Sequence, residues 1–304
     1  MASRLGLGLA AVGRPAYITA GRAGDLPDRS VAGMRSRAHE LLDAAYAGGV
    51  RYIDVARSYG RAEEFLAGWL ADRVVPDLVV GSKWGYTYVG DWRLDAETHE
   101  VKEHTLGAFR RQWAESRALL GDRIRLYQVH SATLESGALD DRSLHAALAE
   151  VRDSGVVVGV TTSGPRQAAA VRKAIAIEHA GQPLFRCVQS TWNLLEPSVG
   201  PALAEAADAG CGVIVKEAVA NGLLTDQAGS PLSGVAHDLG STVDAVAIAA
   251  ALAQPGVTVV LSGAATVDQL MSNLEARTLP PFELPDVALS PEDYWSARSD
   301  RSWT

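Results

Sequence analysis

Apolar residues fall into two kinds of segment that alternate along the chain. Short, nearly continuous apolar runs are each followed by a longer segment with apolar residues at helical spacing. Continuous apolar runs are typical of parallel strands that are covered on both faces. The predicted strands are Arg4–Ala11, Arg51–Val55, Leu78–Lys83, Arg125–His130, Val156–Thr161, Arg186–Ser190, Gly212–Lys216 and Val257–Ser262.

A helix is predicted after each strand. The predicted helices are Met34–Ala47, Arg61–Asp72, Thr98–Leu120, Asp141–Ser154, a helix that opens at Ser163-Gly-Pro165, then Pro197–Ala209, Val243–Ala253 and Thr266–Ala276. Eight strand–helix pairs predict a (β/α)8 barrel. The alternative, a doubly wound open sheet, usually carries a glycine-rich fingerprint after its first strand, and Gly6-Leu-Gly8 lacks the third glycine.

Residues 1–304 are therefore expected to form one barrel domain. Asn221–Leu239 is predicted to be a long polar loop, and residues 280–304 a tail rich in proline, aspartate and serine. A formal net charge of -8 without a basic cluster argues against a nucleic-acid partner. No apolar run reaches the length of a membrane span. The two cysteines, Cys187 and Cys211, lie in apolar runs, which indicates buried thiols in a reducing compartment, the cytoplasm.

Ionisable residues recur where the predicted strands end, which is where barrels of this class carry their active sites. Asp54, Lys83 and His130 end the second, third and fourth strands, Lys216 ends the seventh, and Tyr59 follows in the loop after Asp54. Each has an ordinary structural alternative: a loop cap, a rim lysine or a core histidine. Their convergence on neighbouring strand ends favours a functional site.

These residue types suit proton transfer to a reacting carbonyl oxygen. Lys83 is expected to lower the pKa of the Tyr59 phenol, and Asp54 to hold Lys83 charged and in place. A neutral His130 can donate a hydrogen bond to the same substrate oxygen. No metal-ligand spacing and no Ser-His-acid arrangement accompanies them, so a hydride must come from a cofactor.

At this point the sequence resembles the aldo-keto reductases. YIDVARSYG with Asp54 and Tyr59, GSKWG with Lys83 and LYQVH with His130 match the family's Asp-Tyr-Lys-His tetrad in order and spacing. Three further pieces resemble the branch that includes bacterial reductases and potassium-channel β subunits: Gln189…Trp-Asn193-Leu-Leu, Asn221-Gly-Leu-Leu-Thr225 and Ser262-Gly-Ala…Gln269-Leu…Asn273. The resemblance implies that Tyr59 is the general acid/base, His130 orients the carbonyl, and Lys83 and Asp54 tune the phenol.

The resemblance also implies a nicotinamide dinucleotide, NADPH by preference with NADH as the alternative. The implied cofactor residues are Thr161, Thr162, Gln189, Lys216, Ser262, Gly263, Gln269 and Asn273. Thr161-Thr162 stands where the family usually has Ser-Asn, and Lys216-Glu217-Ala218-Val219 where it often has an aromatic platform. Trp192, on a neighbouring strand, is the candidate to replace that platform. The cations that many NADP-dependent members carry near Gly263 and Gln269 are missing, which predicts a weak preference for NADPH. Thr266-x-x-Gln269 is also a plain capping box.

Two other functions stay open from the sequence. One is a nucleotide-binding regulatory or redox-sensing subunit with weak turnover, and the other an aldolase-like enzyme with a Schiff base on Lys83 or Lys216. The expected substrate is an aldehyde, a ketone or a sugar lactol. Eight aromatic residues are candidates for the pocket wall, with packing on the rim as the alternative: Tyr17, Trp84, Tyr86, Tyr88, Trp92, Trp192, Tyr294 and Trp295.

Overall fold

Eight parallel strands close into a barrel, as the sequence predicts. The computed structural model describes residues 4–18, 22–226 and 229–303. Each strand pairs with its neighbours in the chain, and the last strand pairs with the first. The strands are β1 Leu5–Gly8, β2 Tyr52–Asp54, β3 Val79–Trp84, β4 Ile124–Ala132, β5 Val157–Thr162, β6 Cys187–Thr191, β7 Gly212–Lys216 and β8 Val259–Ser262.

A helix follows each strand on the outside of the barrel. The helices are α1 Val31–Ala47, α2 Ala62–Ala71, α3 Leu106–Leu120, α4 Arg142–Asp153, α5 Gln167–Ile175, α6 Gly200–Asp208, α7 Val243–Leu252 and α8 Val267–Glu275. Their buried faces and the outward side chains of the strands form the main core. Within the described ranges no single helix is long and apolar enough to cross a membrane, although the bent pair Ser233–Leu239 and Val243–Leu252 passes by length and composition together.

A second, smaller core fills the inside of the barrel below the carboxyl ends of the strands. It consists of Tyr52, Leu126, Cys187, Ile214 and Leu261. Tyr52 fits there because Gly81 faces it. A Cβ on Gly81 would lie 2.1 Å from the Tyr52 hydroxyl oxygen, so any other residue at position 81 would displace the phenol.

The predicted helix Thr98–Leu120 is wrong in its first third. Thr105 is the N-cap, with its hydroxyl accepting a hydrogen bond from the backbone N–H of Ala108, and α3 begins at Leu106. Before it, Glu100–Lys102 pairs antiparallel with Tyr86–Tyr88, so the loops after β3 form a hairpin. A helix starts after its N-cap residue, so the capping threonine fixes the start of α3 even though the apolar residues before it have helical spacing.

The loop and tail predicted to be irregular each contain a helix. Ser233–Leu239 lies in the loop before α7, and Pro291–Ser299 lies in the tail. The tail helix begins with Ser290 as N-cap and Pro291 in the first turn, which is a good start signal. Tyr294 and Trp295 of this helix are buried, so the tail helix packs against the rest of the protein.

Candidate active site

Lys83 links two of the other predicted residues, Asp54 and Tyr59. Its ammonium donates hydrogen bonds to Asp54 Oδ1, to the backbone oxygen of Val55 at 3.1 Å, and to the Tyr59 hydroxyl at 3.2 Å. Lysine has three N–H donors, so none is left over. Lys83 is fully buried, and burial lowers its pKa while the Asp54 carboxylate opposes that shift. The sequence prediction that Lys83 is the cation beside Asp54 agrees with this arrangement.

The second oxygen of Asp54 is also occupied. Tyr52 donates to Oδ2 at 3.1 Å, and Gln189 Nε2 donates to the same oxygen at 2.9 Å. A carboxylate that is 2% exposed is costly unless it is paired and hydrogen-bonded, and Asp54 meets both conditions. Gln189, which the resemblance assigns to the cofactor, lines the cavity and also supports Asp54.

Tyr59 is placed by two glycines that allow two loops to touch. Gly60 has a φ of +59°, and a Cβ there would lie 2.5 Å from the backbone oxygen of Gly13. A Cβ on Gly13 would lie 2.4 Å from the backbone oxygen of Tyr59. The loop after β1 therefore fits against the loop after β2 only because both positions are glycine.

Burial and the Asp54 carboxylate raise the pKa of Tyr59 well above its usual value. The net direction is opposite to the lowering that the sequence led us to expect from Lys83. Removing the phenol from water outweighs the Arg14 guanidinium, which lowers the pKa. Tyr59 is therefore protonated at neutral pH, which is the form that a proton donor needs.

His130 is directed into the barrel mouth by a bulge in β4. The register shifts between Val129 and Ala132, and Ser131 has a φ of 50°. The backbone N–H of Ser131 donates to Thr161 Oγ1 at 2.6 Å, which holds the bulge. Burial and the charges on Lys83 and Lys216 lower the pKa of His130 well below its usual value, so its imidazole is neutral. Its ring lies 5.4 Å from that of Tyr59, centroid to centroid.

An arginine that the sequence did not single out lies beside the phenol. The Arg14 guanidinium is 5.4 Å from the Tyr59 ring centroid and 4.5 Å from that of Trp303. It donates to the Ser58 backbone oxygen at 2.9 Å and forms an ion pair with Glu100 at 2.7 Å. Glu100 lies in the hairpin that was predicted as helix, so this pair had no sequence signal.

The opposite wall of the mouth is built from the end of β7 and the tail helix. Glu217 follows Lys216 with a φ of 58° and pairs with Arg298 of the tail helix at 2.5 Å. Arg298 and Lys216 hold the pKa of Glu217 down at about 2 although burial acts in the other direction. Burial lowers the pKa of Lys216 to about 8, against the attraction of Glu217.

These residues surround one cavity of about 250 Å³ at the carboxyl ends of the strands. Its wall includes Asp54, Tyr59 and His130, with Lys83 buried behind them. Four of the residues assigned to the cofactor also line it: Gln189, Lys216, Ser262 and Gly263. Of the eight candidate aromatic residues, Tyr17 lines the cavity, and Trp303 joins it. Trp192 is 3% exposed and lies outside the wall, so it does not provide the missing platform.

The structure does not bring the other four cofactor residues to the cavity. Thr161 and Thr162 are fully buried, and their hydroxyls bond Ser131 and Ser190. Asn273 bonds Asp244 and Ser262. Gln269 accepts a hydrogen bond from the Ala265 N–H and donates to Asp25 Oδ2 at 2.8 Å. These polar groups are occupied by the protein itself.

The capping box at α8 is present in an altered form. Thr266 Oγ1 accepts a hydrogen bond from the Gln269 N–H at 3.2 Å, as the sequence predicts. The Gln269 side chain reaches back to Ala265 rather than to the cap residue. Across the described residues, no group of three or more His, Cys, Asp or Glu side chains is placed to hold a metal ion.

Comparison with known proteins agrees with this geometry. The model of the Aldo/keto reductase family matches residues 5–288. The uncharacterized oxidoreductase YqkF of Bacillus subtilis (strain 168) is 24% identical over 273 residues, which are 80% of this chain and 82% of YqkF.

Two solved structures are similar in fold. The putative aldo-keto reductase PA4992 of Pseudomonas aeruginosa has a TM-score of 0.65 at 24% identity and covers 91% of each chain. The holo form of aldo-keto reductase AKR11C1 from Bacillus halodurans has a TM-score of 0.68 at 19% identity, over 98% of this chain and 92% of its own.

Proposed function

The chain belongs to the aldo/keto reductase family of oxidoreductases, and from this premise we propose that it reduces a small carbonyl compound with a nicotinamide dinucleotide. One observation carries the proposal: a buried lysine bridges a carboxylate and a protonated phenol beside a neutral histidine, all at one cavity. Neither a regulatory nucleotide site nor a packing role needs that arrangement.

In this proposal Tyr59 donates the proton. When hydride reaches the carbonyl carbon, the oxygen becomes an alkoxide, a stronger base than a phenolate, so proton transfer from Tyr59 is favourable even with its raised pKa. Lys83 donates to the phenol oxygen at 3.2 Å and stabilises the phenolate as it forms. Asp54 keeps Lys83 in place.

His130 orients the carbonyl. Ser58 Oγ lies 3.4 Å from His130 Nδ1, so the serine hydroxyl can donate to Nδ1 and leave Nε2 as the ring N–H. A neutral imidazole with that N–H facing the cavity donates one hydrogen bond to the carbonyl oxygen. It does not compete with Tyr59 as an acid, because its pKa is well below neutrality.

The cavity residues fit a nicotinamide group. A bound nicotinamide dinucleotide supplies the hydride. Gln189 offers an amide at the cavity, and nothing described lies within 4 Å of the point where a Cβ on Gly263 would be, so the floor beside Ser262 is open. Gln189, Ser262 and Gly263 are the residues that would hold the group.

NADH is accepted about as well as NADPH in this proposal. Gln269 stands near the position where many NADP-dependent members carry a cation, and its Nε2 lies 2.8 Å from the carboxylate of Asp25. A negative charge there repels a 2′-phosphate. Two arginines on these loops do not supply a replacement cation, because Arg277 donates to the Gly48 backbone oxygen and Arg166 pairs with Glu135.

The experiment is a binding titration of NADH and NADPH, followed by oxidation of the bound reduced cofactor with a panel of small aldehydes, ketones and sugars. Turnover of at least one carbonyl compound is expected. Binding of either nucleotide without any turnover would favour the regulatory subunit instead. The Schiff-base alternative is disfavoured at Lys83, because all its N–H groups are donated.

A further inference from the structure

The cations of the cavity differ in how they are compensated. Arg14 is paired with Glu100, Arg298 with Glu217, and Lys83, behind the wall, with Asp54. Arg301 donates to the backbone oxygen of Ala220 at 3.0 Å. Lys216 is the exception: its ammonium forms no hydrogen bond or ion pair with any residue that the structure describes.

Lys216 lies on the same cavity as the reacting groups. It ends β7 opposite Thr191 in the register with β6, and its side chain lines the cavity together with Tyr59 and His130. Its charge contributes to the lowered pKa of His130, which places the ammonium within electrostatic reach of the imidazole. A group that binds Lys216 therefore belongs to a molecule that also reaches the tetrad.

The nearby carboxylates are held by donors other than Lys216. Both oxygens of Glu217 are bonded, Oε1 by Arg298 and Oε2 by Arg298 and Thr191. Both oxygens of Asp54 are bonded by Lys83, Tyr52 and Gln189. Lys216 is half-buried at the cavity, so its ammonium has lost part of its water, and an anion that binds beside it offsets that loss.

We propose that Lys216 is the anion-binding subsite of the substrate, so that the protein prefers carbonyl compounds that carry a carboxylate. The inference rests on the proposed function and specifies its substrate class. The cavity wall is partly apolar, with Ala11, Ile18 and Leu261 among its residues. The preferred substrate therefore has an apolar body with the carbonyl at one end and the carboxylate at the other.

The test uses a matched pair of substrates, 4-carboxybenzaldehyde and its neutral methyl ester, methyl 4-formylbenzoate. The ratio of their kcat/KM values isolates the charge, because both undergo the same chemistry. One charge-assisted hydrogen bond changes this ratio on the order of ten- to a hundredfold in favour of the carboxylate. Lys216→Gln is expected to abolish the preference, and Lys216→Arg to restore most of it. Lys173→Gln, at a surface pair with Asp140, is the matched control and leaves the ratio unchanged.

The pH dependence of the same ratio provides a second readout. Burial lowers the pKa of Lys216 to about 8, with Glu217 and Asp54 raising it and Arg298 and Lys83 lowering it further. The other group facing it, His130, is neutral. The preference for the carboxylate is therefore full at pH values well below 8, half lost near pH 8, and absent well above it. In Lys216→Arg it stays constant over the same range.

Three outcomes overturn the inference. Equal kcat/KM values for the two wild-type substrates show that there is no anion subsite. Weaker binding of NADH in Lys216→Gln with an unchanged ratio assigns Lys216 to the phosphates of the cofactor. Borohydride trapping of 4-carboxybenzaldehyde on Lys216 assigns it to a Schiff base. Failure of the proposed function has a different signature, since neither substrate would then be reduced although both are aldehydes.

Discussion

Each of the two walls of the cavity contains a buried carboxylate paired with a cation, but the cation comes from a different part of the fold. On one wall, Asp54 and Lys83 extend from adjacent strands, and their partners are other strand residues such as Gln189. On the other, Glu217 is held by Arg298, which comes from the tail helix. The first wall is part of the barrel framework, and the second is completed by a segment outside the eight strand–helix pairs. In the proposed function the proton-transfer groups lie on the framework wall, and Lys216, the proposed anion subsite, lies on the wall that the tail helix completes.

The largest expected effect is on the framework wall. Tyr59→Phe removes the proton donor but keeps the ring, so kcat/KM for a carbonyl substrate is expected to fall by roughly 10²–10⁴-fold. Binding of the reduced nucleotide should be retained, because other loops bind it. Steady-state kinetics and a cofactor titration on the same preparation check both. If the variant binds cofactor normally and its kcat/KM is within a few fold of wild type, Tyr59 is not the proton donor.

The second prediction distinguishes the effect of the Lys83–Asp54 pair on stability from its effect on activity. Lys83→Met leaves Asp54 as a buried carboxylate without its cation, which is expected to cost about 3–5 kcal/mol of unfolding free energy. Adding Asp54→Asn removes the orphaned charge, so the double variant should recover much of the stability while its activity stays low. Urea denaturation beside kinetics measures the two quantities. Recovery of activity in the double variant would show that the pair serves only structure.

The third prediction concerns the tail wall. Arg298→Met leaves Glu217, which is 8% exposed, without its guanidinium, and is expected to cost about 3 kcal/mol, near the lower end for a buried pair. Arg93→Met is the control, because Arg93 and Asp95 are 63% and 80% exposed and water screens their attraction, so its loss should change the stability very little. Thermal unfolding of both variants checks this. Equal costs would mean that the tail helix is not anchored through this pair.

The smallest effect concerns the cofactor. Gln269→Arg supplies the missing cation and loses the hydrogen bond to Asp25, so NADPH is expected to gain on NADH by roughly tenfold, about the value of one charge-assisted hydrogen bond. The wild type should discriminate only weakly. Parallel titrations of both nucleotides decide it, and a wild-type preference of many thousandfold for NADPH contradicts the prediction.

The sequence predicts the framework wall well for a physical reason. A strand end is marked by local signals, and parallel strands place successive carboxyl ends on one edge, so Asp54, Lys83 and His130 meet once the barrel is assumed. The ion pairs of Arg14 and Glu217 could not be predicted in the same way. Their partners, Glu100 and Arg298, lie in a hairpin and a tail helix whose positions depend on tertiary contacts rather than on periodicity.

The direction of the pKa shift of Tyr59 and the hydrogen-bond partner of Thr161 also could not be predicted from the sequence. The order of residues shows that a lysine is near a phenol, but the extent of burial, which decides the direction of the shift, appears only in three dimensions. The hydroxyl of Thr161 could bind a ligand, but it accepts a hydrogen bond from the backbone N–H of Ser131 in the bulge instead. A bulge depends on the register of two strands, and no single-strand pattern reveals it.

The packing of Trp303 on Arg14 has a consequence for how this side of the mouth folds. The guanidinium that faces the phenol from the first loop is covered by a ring that lies very far along the sequence, at 4.5 Å. A contact between residues so distant in sequence closes a long loop, and its entropic cost is offset only once most of the barrel between them is ordered. This part of the mouth is therefore expected to form late in folding.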